Sequence, residues 1–119
     1  MPLQSPAGGG ETKTEKKKIP ETYLRFRRNY PEIAANYEAL GKSVNELGAL
    51  DSWTAALVKL ALAVSRQREG GVHSAARKGL DAGLEPDEMR QVALMAITTI
   101  GFSSAMAAYT WVEDVVGTK

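Results

Sequence analysis

Asp51-Ser52-Trp53-Thr54-Ala55-Ala56-Leu57-Val58-Lys59-Leu60-Ala61-Leu62-Ala63-Val64-Ser65 decides the fold class. Asp51 is a good helix N-cap, since its carboxylate can accept from an orphan backbone N–H of the first turn. From Ser52 to Ser65 the apolar residues Trp53, Ala56, Leu57, Leu60, Ala61 and Val64 recur at the helical period, and Val58 and Leu62 widen the face. Only Lys59 clearly demands water. A helix apolar almost all round is buried on several sides. In a chain of 119 residues, part of that burial is expected to come from another subunit.

Outward from this helix the same period continues. Pro20 to Asn29 reads as a first helix, with Tyr23, Phe26 and Tyr30 on a packing face. Pro31 to Leu47 reads as a second, with Ile33, Tyr37, Leu40, Val44 and Leu47 on one stripe and Gly48 as its stop. Gly41 within it points to close packing, because glycine there weakens a helix by about 1 kcal/mol relative to alanine. Val72 to Ala82 is helical, with Val72, Ala75, Ala76 and Leu80 facing in, Arg77 and Lys78 facing out, and Gly83 closing it. Glu85-Pro86-Asp87-Glu88 starts a fifth helix that runs to about Ile100. Gly101-Phe102 breaks it, and a sixth runs from about Ser103 to Val116. No sustained alternation and no Asn-Gly or Asp-Gly turn argues for strands. The expected fold is all-α, with five or six helices in one domain over residues 20–119, behind a tail at 1–19 that holds Gly8-Gly9-Gly10 and a small lysine cluster.

Composition removes several chemistries. Fifteen basic and fourteen acidic residues give a net charge of +1, without the basic bias of a nucleic-acid binder. There is no cysteine, so disulfides, thiolate catalysis and cysteine-ligated metal sites are excluded. The N-terminal residues lack a signal-peptide core, and no apolar run reaches the roughly 18 residues of a membrane span. The expectation is a cytoplasmic protein without membrane or nucleic-acid partners. GxGxxG, GxxxxGK[ST] and HExxH are all absent.

The chemistry-bearing stretch is Arg66-Gln67-Arg68-Glu69-Gly70-Gly71-Val72-His73. His73 is the only histidine, and Glu69 lies one helical turn before it. A carboxylate so placed can orient the imidazole and act as its proton partner. Gly70-Gly71 is expected either to weaken the helix locally or to let two backbones approach closely, at a junction between two apolar helices that favours a concave site. Arg66 and Arg68 are candidates for holding an anionic substrate.

These residues, with Ser74-Ala75-Ala76-Arg77-Lys78-Gly79-Leu80-Asp81-Ala82-Gly83-Leu84-Glu85-Pro86 and the later Ala96-Ile97-Thr98-Thr99-Ile100-Gly101-Phe102, resemble the carboxymuconolactone decarboxylase family, which includes alkylhydroperoxidase-like proteins. The resemblance covers about residues 50–116. It implies an all-helical fold assembled as a trimer, hexamer or related ring. The peroxidase branch carries CxxC-x3-His; counted back from His73, this chain has Arg66 and Glu69 at the two cysteine positions. Thiol peroxidase activity is therefore excluded. The resemblance then implies the decarboxylase branch, which removes CO2 from a carboxylated lactone without a cofactor. His73 would be the acid/base, Glu69 its tuning partner, and Arg66 or Arg68 the carboxylate holder. Two other readings stay open: a non-catalytic oligomeric binding or scaffold protein, and a metal site built between subunits from Glu69 and His73.

Overall fold

The computed structural model describes residues 19–117; apart from Ile19, the expected tail lies outside them. Among the described residues there are six α-helices and no strand. Contacts gather the chain into two compact units, one ending at Ala49 and one beginning at Leu50.

The first unit is a helix pair, α1 (Glu21–Asn29) and α2 (Pro31–Asn45). Pro20 is the cap of α1, one residue earlier than its expected first-turn place. The pair is joined by Tyr23, whose hydroxyl donates to Glu38 Oε2 at 2.7 Å. Burial, and then that hydrogen bond, push the Tyr23 phenol up to about 12. The rings of Tyr23, Phe26 and Tyr30 pack against one another, with centroids 5.8 and 6.2 Å apart. Ala34 is buried, whereas Ile33, Tyr37, Leu40, Val44 and Leu47 form an exposed apolar stripe. The close packing expected at Gly41 is not found: a Cβ there would meet nothing within 4 Å.

The second unit holds α3 (Ser52–Arg66), α4 (Glu69–Asp81), α5 (Pro86–Met95), a 3-10 turn (Ala96–Thr98) and α6 (Phe102–Val116). Asp51 caps α3 as expected, accepting from the Thr54 N–H at 2.8 Å. The helix stops at Gln67, which adopts a left-handed conformation with φ 54°. Its amide offsets that strain by donating to Val64 O at 3.0 Å and to Ser104 O of α6 at 3.1 Å. The chain break is therefore at Gln67. Gly70 and Gly71 do not interrupt a helix; they lie in the first turn of α4.

The end of α4 is a Schellman motif. Leu84 N–H donates to Gly79 O at 2.9 Å and Gly83 N–H to Leu80 O at 3.1 Å. Gly83 supplies the positive φ of 99° that this closure requires. Gly79 is needed for a different reason: a Cβ there would lie 2.8 Å from Leu84 Cδ1 and 3.2 Å from Met89 Sδ. The start of α5 is held by the Glu85 N–H donating to Glu88 Oε1 at 2.8 Å.

Helix α5 ends at Met95 and does not run to Ile100. Residues 96–98 tighten into a 3-10 turn, and the Thr99 hydroxyl donates to Ala96 O at 3.2 Å. A β-branched run with threonines that bond back to the chain favours this early stop.

The core of this unit is Leu60 and Val64 of α3, Val72 and Ala76 of α4, Leu84, Met89 and Ala93 around α5, and Ala105, Ala108 and Val112 of α6. Its many alanines let the helices approach closely, with α4 packed against both α3 and α6. Within the chain α3 is buried on one side alone: Val58 and Leu62 are exposed. Leu80 is exposed too, against the expectation that it faces in. Among the described residues no helix is long and apolar enough to cross a membrane.

Candidate functional site

The site forms where α4 lies against α6. Val72, Ala76 and Gly79 turn one stripe of α4 into the core, and Glu69, His73 and Arg77 follow on an adjoining stripe, one turn apart. His73 is sheltered, with its side chain 17% exposed. Its Nε2 lies 2.9 Å from Asp114 Oδ2 of α6. Glu69 Oε2 is 3.9 Å from the same nitrogen, on a side chain 61% exposed. The nearest partner of the imidazole is thus Asp114, which sequence reasoning missed, and Glu69 stands second.

This arrangement fixes the roles of the ring nitrogens. A carboxylate accepts, so Nε2 carries the proton shared with Asp114. Among the described residues nothing hydrogen-bonds Nδ1. An aspartate that holds one imidazole nitrogen leaves the other to exchange protons with a substrate and stabilises the imidazolium that results.

Asp114 is held in place by its neighbour. Glu113, the residue before it, receives Arg90 of α5 in a two-pronged contact, through Nε and through Nη2, the latter at 3.3 Å. Arg90 also donates to Asp87 Oδ1 at 2.8 Å and to Gly117 O at 3.0 Å. Hydrogen bonds to Glu113 and then Asp87 raise the Arg90 pKa, so the guanidinium stays charged. The clamp ties the last turn of α6, which carries Asp114, to α5.

Arg66 is the last residue of α3 and Arg68 the cap of α4. Both are exposed, and neither guanidinium makes a hydrogen bond or ion pair among the described residues. Arg77, expected to face out, is half-buried. Burial alone pulls its pKa below the ordinary arginine value.

Glu69, His73 and Asp114 each offer one ligand atom, all within 4.8 Å of one another. Two carboxylates and an imidazole are a donor set that suits a divalent transition metal. A groove in this unit is apolar, lies between α3 and α5, and is lined by Leu57, Ala61, Val92, Met95 and Ile100, away from Gly70-Gly71.

The model of the carboxymuconolactone decarboxylase family matches residues 31–114, a span that contains Glu69, His73 and Asp114. No curated protein and no solved structure matches the chain.

Proposed function

Since the chain belongs to the carboxymuconolactone decarboxylase family, we propose that it is a lyase that removes CO2 from a small carboxylated lactone by proton transfer at His73. The observation that carries this reading is the 2.9 Å contact between His73 Nε2 and Asp114 Oδ2 on a sheltered imidazole. In the reaction the bond between the ring carbon and the leaving carboxylate breaks. Its electron pair passes into the lactone as a dienolate. The His73 imidazolium gives a proton from Nδ1 to the resulting carbon, and solvent returns one. Asp114 offsets the imidazolium charge while it exists, and Glu69 adds a weaker negative field. The chemistry asks for no cofactor, and the absence of cysteine excludes the thiol route.

The test is CO2 release from 4-carboxymuconolactone and related lactones, matched mole for mole to lactone consumed. Turnover is expected, and it should survive EDTA. No release from any of these lactones removes the reading. Loss on chelation with recovery on Mn2+ would move the chemistry onto a metal at Glu69, His73 and Asp114.

Self-assembly belongs to the same proposal. Leu62, Met95 and Phe102 are exposed on the second unit, and α2 carries its own apolar stripe. Scattered apolar residues need no explanation, but this many on a short chain favour burial between copies. Sedimentation equilibrium should return a trimer, hexamer or related ring, and a mass equal to one chain would remove assembly. A second reading, a binding or scaffold protein that kept the fold, is favoured by one observation: His73 does not line the apolar groove.

A further inference from the structure

We propose that Glu69, His73 and Asp114 bind one divalent transition-metal ion within a single chain, and that the bound ion silences proton transfer at His73. The binding stands on geometry alone, whereas the silencing rests on the decarboxylase reading.

Both carboxylates address the same ring nitrogen. Asp114 Oδ2 lies 2.9 Å from His73 Nε2 and Glu69 Oε2 lies 3.9 Å from it, and the three donor atoms fall within 4.8 Å of one another. Nε2 has one proton to give, and one proton serves one carboxylate well. The other carboxylate is drawn to the same point and left unsatisfied. Among the described residues the ion pairs of Glu69 and Asp114 are with His73. Glu113, the residue beside Asp114, is met instead by the Arg90 guanidinium. A divalent ion does what a single proton does not, because it accepts from all three donors at once.

The spacing fits such an ion. Metal–ligand bonds of about 2.0–2.2 Å place neighbouring donors roughly 2.9–3.6 Å apart. Asp114 and His73 already stand at that separation. A small side-chain rotation brings in Glu69, which is 61% exposed and so free to turn. Its open side leaves further coordination positions to water. Two donors come from α4, one turn apart, and the third from α6, which packs against it. No second subunit is needed. One imidazole with two carboxylates suits Mn2+, Co2+ or Zn2+ better than Mg2+, which prefers oxygen ligands and keeps its water.

The effect on the reaction follows from the nitrogen used. Coordination takes the lone pair of Nε2, so the neutral ring carries its one proton on Nδ1. A ring bound in this way does not become an imidazolium, and the acid that would protonate the dienolate carbon is lost. Asp114, the counter-charge of that imidazolium, is taken up by the ion as well.

The test uses the full chain, purified without an affinity tag, freed of metal and titrated with Zn2+ or Mg2+. Calorimetry should return one Zn2+ per chain and no Mg2+ uptake at the same concentrations. His73 is the only histidine, so the imidazole 15N resonances are its own. Zn2+ should move the Nε2 resonance and leave the proton on Nδ1. His73→Ala should abolish uptake. Asp114→Asn and Glu69→Gln should each weaken it by more than about 10-fold, since loss of even an outer partner costs about 10- to 100-fold. Circular dichroism of each variant reports that the fold is kept. Turnover of the lactone should fall as Zn2+ fills the site and return with EDTA. No Zn2+ uptake, coordination through Nδ1, or uptake unchanged in Asp114→Asn and Glu69→Gln overturns the site. Uptake that leaves turnover unchanged or raises it overturns the silencing. Zn2+ uptake with the expected variant pattern, in a chain that turns over no lactone when metal-free, would retain the site and remove the decarboxylase reading.

Discussion

His73→Ala is expected to lower kcat/KM for a carboxylated lactone by about 10²- to 10⁴-fold, the contribution of a positioned general acid or base. The size follows from what the substitution removes. The chain has no second histidine and no cysteine to take over the proton. The supporting variants should fall in an order set by distance and exposure. Asp114→Asn keeps a hydrogen-bond acceptor for Nε2 but loses the charge that offsets the imidazolium. A loss of about 10- to 100-fold is expected, as for a charge-assisted hydrogen bond. Glu69→Gln should cost less, because its carboxylate is 3.9 Å away on a side chain 61% exposed, where solvent screens it. The measurement is steady-state kinetics over pH on variants whose circular dichroism matches wild type. Equal activity in wild type and His73→Ala takes the imidazole out of the mechanism. A Glu69→Gln loss larger than that of Asp114→Asn would show that the nearer carboxylate is structural.

That ranking also marks how far the site could be read in the chain. The spacing of Glu69 and His73 is local, and a helix turns it into proximity. Asp114 is 41 residues from His73, and only the packing of α4 on α6 brings them together. No periodic signal in a single sequence reports such a contact. Arg77 is a different kind of miss. Beside Lys78 it reads as part of a solvated basic face. Its shelter belongs to the folded chain.

The fold was legible wherever one residue settles a local backbone question. Asp51, Pro31, Pro86 and Gly83 mark helix ends through capping, a fixed φ or a positive φ, and each falls at an end. The end of α5 was not legible, because Val92 to Ile100 lacks a polar face and only the threonine back-bonds show where the ladder tightens. Nor was the break at Gln67, since a non-glycine residue in the left-handed region depends on partners as distant as Ser104. Gly70-Gly71 drew the break to the wrong place.

The hardest question in the chain was which side of α3 faces its own core, and it leads to the second large effect. Leu60→Ala is expected to destabilise the protein by about 2–5 kcal/mol, the range for truncating a fully buried leucine. Leu60 is 0% exposed and lies in the cluster shared by α3, α4, α5 and α6. The same cluster contains Ala76, Ala93, Ala105 and Ala108, which have little side chain with which to fill the space left behind. A cavity that cannot collapse puts the loss toward the upper part of that range. Leu62 is the control: two residues on, equally apolar in sequence, it is 60% exposed. Leu62→Ala should stay within about 0.5 kcal/mol of wild type if solvent covers it in the working protein. Urea unfolding followed by circular dichroism measures both. A Leu60→Ala loss below about 1 kcal/mol would mean that the cluster repacks and that α3 is not its centre. A Leu62→Ala loss approaching that of Leu60→Ala would mean that a second copy covers the outer side of α3. That case has its own signature, because stability borrowed from assembly falls on dilution while stability from a chain's own core does not.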